Sequence, residues 1–284
     1  MNLAMDDPLL WLSEHDPYTL RDVCDGGVCV FGQTGSGKTS GSGRALAKSL
    51  LSRGAGFLVC CAKGDEADLW EKLAAETGRS DALLRFTLDG QTRFNFVAWA
   101  ADHYRRRGVR PTQNLVELIT TLAKAVRRNS SDTGGGDEGP FWDKAFSRAL
   151  SKAIDLVEIS TGSVTLGAIS EVVNSAPLES SQLLDEDWKA ASLCSRLVEE
   201  SHARLDTLSE DDRNDFDKAA RYFYSEWARL AEKTRSIILS IFNEVMDLFL
   251  SGPLRRPFCT DTNFVPELVH HGAIVLLDMP VLQL

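Results

Sequence analysis

Phe31-Gly32-Gln33-Thr34-Gly35-Ser36-Gly37-Lys38-Thr39 is the stretch on which the reading of this chain turns. From Gly32 onward it fits G-x-x-x-x-G-K-S/T, a pattern whose residue types suit a loop wrapped around a phosphate. Gly32, Gly35 and Gly37 can take backbone conformations closed to residues with a Cβ, so consecutive N–H groups can converge on one anion. Lys38 supplies a compact positive charge for the β- and γ-phosphates. Thr39 offers a hydroxyl to Mg2+, and a helix starting there turns its positive end toward the same place. Gln33, Thr34, Ser36 and Ser40 complete the stretch expected to line a nucleotide such as ATP. Lys38 and Thr39 are the residues expected to act on the phosphates, and Thr39 the one expected to hold the metal.

The flanks supply the context that such a loop requires. Val28-Cys29-Val30-Phe31 reads as a buried strand entering it. Thr39 to Arg53 reads as a helix leaving it, with Gly54 where that helix stops. Gly56-Phe57-Leu58-Val59-Cys60-Cys61 is a second apolar run of strand length. The turn Ala62-Lys63-Gly64-Asp65-Glu66 follows, then a helix with Leu69, Leu73 and Ala74 on one face, closed by Gly78. Leu83 to Leu88 reads as a third strand, and Asn95 follows Phe94 in a loop. Lys63 and Asp65, just past a strand end, sit where ligands bind in open α/β sheets. Strands alternating with helices at this spacing mean a parallel sheet with crossover helices. Before all this, residues 1–25 read as a lead-in with one amphipathic segment around Leu9, Leu10 and Leu12.

Near residue 105 the pattern changes. From Pro111 to about Leu230 the periodicity is helical throughout. Leu115, Leu118, Ile119, Leu122 and Val126 form one apolar stripe, and Ala145, Ala149 and Ile154 mark another. Between them lies a breaker from Asn129 to Pro140 containing Gly134-Gly135-Gly136, the part expected to be most mobile. Further helices are expected around Leu166 to Val173, Trp188 to Leu205 and Phe216 to Leu230. A strongly apolar helix runs through Ile237, Ile238, Ile241, Val245, Leu248 and Phe249 until Ser251-Gly252-Pro253. A last buried strand, Gly272-Ala273-Ile274-Val275-Leu276-Leu277-Asp278-Met279-Pro280, returns to the sheet pattern. The expected fold class is therefore α/β, a mainly parallel sheet with an inserted all-α subdomain. Residues 26–107 and 231–284 form a discontinuous nucleotide-binding domain, and 108–230 form the insertion.

With 284 residues and 43% hydrophobic content, the chain has the material for one large domain or two smaller ones. Its net charge of −10 excludes a uniformly basic surface, so contact with nucleic acid would need a local patch or an assembled pore. The six cysteines form no C-x-x-C pair and have no histidines at zinc spacing, the usage of a reducing cytosol. No apolar run approaches the ~20 residues that span a bilayer. The N-terminus, with Asp6, Asp7, Glu14 and Asp16, does not read as a signal peptide or membrane anchor.

Other residues invite chemistry less strongly. Arg105-Arg106-Arg107 with Arg110, and Lys124 with Arg127-Arg128, are the best basic clusters for a phosphate backbone; the plainer reading is a solvated hinge and a helix end. Phe141 and Trp142 could stack bases but suit core packing better. His270-His271 have no carboxylate or cysteine at ligand spacing.

Together these residues resemble a known group. The form Gly32-Gln33-Thr34-Gly35-Ser36-Gly37-Lys38-Thr39 is typical of HerA/FtsK-like P-loop NTPases, whose core is RecA-like. Within them the layout is similar to the TraG/TraD-like coupling proteins of conjugation and type IV secretion. Lys63-Gly64-Asp65 resembles that group's Asp-Pro-Lys-Gly-Glu motif, Phe94-Asn95 its Phe-Asn-Pro turn, and Phe141-Trp142 through Ala149-Leu150 the helix opening its all-α domain. The resemblance implies an ATP-dependent motor subunit that moves DNA, with Mg2+, in a homo-oligomeric, hexameric ring. Such a subunit is cytoplasmic or peripheral at the inner face of the membrane, beside membrane partners of the secretion system.

The departures are specific. Cys61 and Ala62 stand where the group has Asp and Pro, no proline follows Asn95, and the membrane helices common in the group are absent. Ile274-Val275-Leu276-Leu277-Asp278 has the form of a Walker B strand, yet Met279 follows where a Glu is usual. Two readings of Asp278 stay open: a structural strand end preceding the true Walker B strand, or the Walker B carboxylate itself. On the first, the chain stops before its own catalytic carboxylates and is a nucleotide-binding module without turnover.

Overall fold

The computed structural model describes residues 4–129 and 139–279. The stretch around Gly134-Gly135-Gly136 and the closing Pro280 therefore lie outside the described residues. The fold is mixed α/β and mostly helical, with a parallel sheet of three strands and a separate antiparallel hairpin. It divides into two units, Met1–Arg93 with Asn263–Leu284, and Phe94–Thr262.

The first unit opens with β1 (Pro8–Ser13) paired to β2 (Asp16–Thr19). The sequence reading anticipates only an amphipathic lead-in here. Two register shifts, between Pro8 and Leu10 and between Trp11 and Ser13, spoil the in–out alternation by which a strand is recognised. Thr19 ends the hairpin and starts α1 (Leu20–Gly26) with a capping box. Its hydroxyl accepts from the Asp22 amide, while the Asp22 carboxylate accepts from the Thr19 amide at 2.7 Å.

Beyond the glycine-rich loop come α2 (Arg44–Ser52), β3 (Phe57–Cys61), α3 (Glu66–Glu76) and β4 (Leu83–Phe86). The chain returns to this unit for β5 (Ile274–Asp278), which takes the middle of the sheet in the order β3-β5-β4, all parallel. Ala47 and Leu51 of α2, with Ala67, Leu73 and Ala74 of α3, pack against Cys61, Ile274 and Leu276. An apolar run such as Ile274-Val275-Leu276 suits a central parallel strand, which is covered on both faces. Arg79 ties the unit together: it donates to the carbonyl of Leu51 at 2.9 Å and to that of Gly272.

Gly56, at the entry to β3, has no room for a side chain. A Cβ there would lie 2.7 Å from the carbonyl carbon of Val269 and 3.0 Å from the oxygen of Ala273. Gly56→Ala is expected to destabilise the chain by about 1–3 kcal/mol, because backbone on both sides must move. Urea unfolding beside the wild type measures this, and an unchanged midpoint would refute it.

The second unit is built from α4 (Phe96–Arg105), α5 (Thr112–Asn129), α6 (Gly139–Thr161), α7 (Leu166–Asn174), α8 (Glu186–Ala191), α9 (Leu193–His202), α10 (Glu210–Arg221), α11 (Glu232–Leu250) and α12 (Arg255–Cys259). Among its described residues there is no strand. Helix α4 lies where the sequence reading places only a loop around Asn95. Asn95, expected in a loop, is its N-cap: the side-chain oxygen accepts from the Ala98 amide at 3.1 Å, and Val97, Ala100 and Ala101 face inward. The helix expected from Trp188 to Leu205 is broken at Ser192, which caps α9 and donates to the Ser175 carbonyl at 2.7 Å. The apolar face of α11 delivers Ile238, Phe242, Val245 and Met246 to a core that also holds Phe216, Phe223 and Trp227. An amphipathic helix belongs with the surface that covers its apolar stripe. For that reason α11 falls inside this unit, although periodicity alone put the helical span at 108–230. Among the described residues no single helix is long and apolar enough to cross a membrane.

Candidate functional site

The strand expected at Val28 to Phe31 is not formed. These residues carry no regular structure, and Val28, Val30 and Phe31 are exposed, Phe31 by 87%. An apolar run becomes a strand only when a neighbour takes up its N–H and C=O groups. Here the sheet consists of β3, β5 and β4, and none of them pairs with this segment.

Within the loop the glycines take the conformations their sequence predicts. Gly35 and Gly37 stand at φ 81° and 85°, a region costly for any residue with a Cβ. At Gly32 a Cβ would collide with the Ser36 hydroxyl and come within 3.2 Å of Lys38 Cγ. The Ser36 amide donates to the Gln33 carbonyl at 3.1 Å, closing the first turn. Lys38 folds back over the loop, its Nζ donating to the carbonyls of Gly32 at 2.6 Å and Gln33 at 2.8 Å. Among the described residues no acceptor meets the amides of Gly35, Gly37 and Lys38, nor do the Thr39 and Ser40 hydroxyls have a partner. Gln33, Thr34, Ser36, Thr39 and Ser40 are all exposed. The segment thus offers an ammonium, free backbone donors and two hydroxyls on one short arc.

The helix leaving the loop differs from the α-helix expected from Thr39. Thr39–Gly43 form a π-helical turn in which the Gly43 amide donates to the Lys38 carbonyl at 3.0 Å, and α2 begins at Arg44. The sequence Thr-Ser-Gly-Ser-Gly has no apolar anchor and two glycines, so little holds it to the tighter α geometry. Alongside runs a cleft of about 340 Å3, bounded by loop residues Lys38 and Thr39 and by side chains of α2 and α3.

At the carboxyl edge of the sheet, Asp278 ends β5 opposite Cys61 of β3. Its buried carboxylate accepts two N–H groups of Arg85, at 2.7 and 2.6 Å. The same guanidinium reaches Glu71 at 3.0 Å and Asp68 at 3.5 Å. Sequence reasoning missed Arg85; its one signal was a charge within a short apolar strand. In the turn after β3, Glu66 rather than Asp65 organises the backbone, accepting from the Ala62 amide at 2.7 Å and the Lys63 amide at 3.3 Å. Lys63 and Asp65 point to solvent.

Burial, and next the nearby charge of Asp278, push the Cys61 thiol up from an ordinary 9.0 to about 11. A group held protonated by folding stabilises the folded chain fully below its unfolded pKa and ceases to do so above its folded one. Burial moves Cys259 to about 11 in the same direction. Unfolding free energy is therefore expected to fall between about pH 9 and about pH 11. Denaturant titrations across that range check it, with a shallower fall in Cys61→Ala; a flat profile would contradict it.

Three residues of the basic clusters, Arg105, Arg106 and Arg110, are engaged with carboxylates of their own unit. Arg105 donates twice to Glu158, both at 2.9 Å, Arg106 pairs with Asp102, and Arg110 pairs with Asp212 and, at 2.9 Å, Asp215. Arg107 lies against His103. Lys124 is exposed, and the side chains of Arg127 and Arg128 lie outside the described part. Trp142 packs on the helical core, whereas Phe141 is 57% exposed.

What these features define is a mixed α/β chain carrying a glycine-rich loop, with an ammonium and acceptor-free amides, ahead of a helix. Comparison with models of known families, with characterised proteins and with solved structures returned no match.

Proposed function

We propose that the chain binds Mg-ATP or Mg-ADP through Gly32 to Ser40, with Lys38 on the β- and γ-phosphates and Thr39 on the metal. The observation that carries this is the arc at Lys38: an ammonium held centrally by two carbonyls, flanked by amides of Gly35 and Gly37 that have no acceptor among the described residues. Such an arrangement favours a multiply charged oxyanion over any neutral ligand. Calorimetric titration of the purified chain with Mg-ATP and Mg-ADP tests it; saturable binding is expected, and no heat with either would overturn the reading.

The finer assignment rests on the sequence resemblance. It is a P-loop NTPase of RecA-like architecture with an all-α insertion, acting as a motor subunit of the coupling-protein kind, working in a ring on DNA in the cytoplasm or at the inner face of the membrane. The parallel β3-β5-β4 sheet and the discontinuous first unit are compatible with it. The ion pairs at Arg105, Arg106 and Arg110 leave less free positive charge for DNA than the sequence implied.

A second reading, nucleotide binding without turnover, is favoured by Asp278. Its carboxylate is taken by Arg85, and Met279 follows it. Phosphoryl transfer needs a metal held from two sides, a group orienting water and charge on the transition state. The loop supplies only part of that set, so hydrolysis by this chain is expected to be very slow. An ATPase assay with and without DNA, beside Asp278→Ala, decides it. Robust turnover abolished by that substitution would make Asp278 the Walker B carboxylate and remove the second reading.

A further inference from the structure

The cleft beside the loop is built unlike the loop. Its near rim is Lys38 and Thr39, the end of the arc assigned to phosphate. Its far wall is Leu69, Trp70 and Leu73 of α3, with Ala47 of α2 behind. Helix α3 reads Glu-Ala-Asp-Leu-Trp-Glu-Lys-Leu-Ala-Ala-Glu, and its Ala67, Leu73 and Ala74 are consumed by the sheet. Trp70 lies at the edge of that cluster, packed against it and lining the cleft. It is half-buried, and its indole leans on Phe57 of β3, ring centres 5.0 Å apart at 54°. That contact and the core hold the ring on one side, while Trp70 also borders the cleft. At the rim, Arg44 is held by Glu76 at 2.7 Å, and Lys48 holds the same carboxylate from the next turn of α2 at 3.0 Å.

We infer that this cleft receives the base and ribose of the nucleotide, with Trp70 as the stacking surface; the inference rests on the loop being a polyphosphate site. A volume of about 340 Å3 is in the range of small-molecule sites, ~300–1,000 Å3. An apolar wall that carries one oriented aromatic ring suits a flat heterocycle and offers nothing to a phosphate. Stacking also tolerates every base, since each has a π-face, so ATP and GTP should bind within about tenfold of each other. Losing one such stack should weaken binding by about 5- to 100-fold.

The test compares Mg-ATP with Mg-tripolyphosphate, which has the charged arm and no base, on the wild-type chain, Trp70→Leu and Trp70→Phe. In the wild type, ATP should bind about 5- to 100-fold tighter than tripolyphosphate. Trp70→Leu should abolish that difference and leave tripolyphosphate affinity unchanged, and Trp70→Phe should keep most of it. Equal wild-type affinities for the two ligands would overturn the base subsite while leaving the phosphate loop standing, and they need no variant to fold. A Trp70→Leu chain that keeps the wild-type preference for ATP would overturn it as well. Binding of neither ligand to the wild type would remove the phosphate reading and this inference with it.

Discussion

Lys38→Ala is expected to lower affinity for Mg-ATP by about 10- to 100-fold, the worth of one charge-assisted contact of roughly 1.5–3 kcal/mol. The protein contacts of the ammonium are the carbonyls of Gly32 and Gln33 in its own loop, and Lys38 lies outside the packed cluster under the sheet. Removing it therefore takes positive charge from the phosphates without opening a cavity. The helical signal and the urea midpoint should match the wild type. Lys38→Arg should recover only part of the affinity, because a planar guanidinium cannot replace a point charge set between two carbonyls. Calorimetry on the three proteins reads the result directly. Wild-type affinity in the alanine variant would mean that the loop, whatever its sequence, does not hold the nucleotide.

Phe242→Ala should have the largest effect on stability, about 3–5 kcal/mol, the usual cost of emptying an aromatic site. Phe242 is fully buried in α11, and its ring lies 5.7 Å from that of Phe146 in α6. Ile238, Val245 and Met246 of the same helix share this core with Phe146 of α6, Phe223 and Trp227, all of them already packed, so no single side chain can swing in to fill the space. Against typical net stabilities of ~5–15 kcal/mol, such a loss removes a large share of the margin. Urea unfolding followed by the helical signal measures it. A penalty below about 1 kcal/mol would mean that this helical core is far looser than its burial indicates.

Much of this architecture was legible residue by residue. Short apolar runs at 57–61, 83–86 and 274–278 announce strands, and the spacing of Ile238, Phe242 and Val245 announces a helix, because each pattern is carried within one window of the chain. The backbone of the loop was legible for the same reason: Gly35 and Gly37 lie within three residues and need no distant partner to bend as they do. Helix α4 carried a signal in Asn95, a residue suited to an N-cap, followed by apolar Val97, Ala100 and Ala101. The hairpin of β1 and β2 carried a poor one, since register shifts erase its alternation.

By itself, then, the sequence determined the elements whose causes are local: the turn chemistry of the glycine-rich loop, the strand runs and the helical stripes. Only the tertiary structure decided how they are used. It placed the last strand between β3 and β4, joined Arg85 to Asp278 across 193 residues, and neutralised Arg105 and Arg110 with carboxylates of other helices. It also left Val28 to Phe31 unpaired and exposed, against a reading that their composition fully supported. The physical reason is common to all of these. A strand's N–H and C=O groups, a guanidinium and a buried carboxylate are each settled by whichever partner the fold brings within about 3 Å, and no window of sequence names that partner.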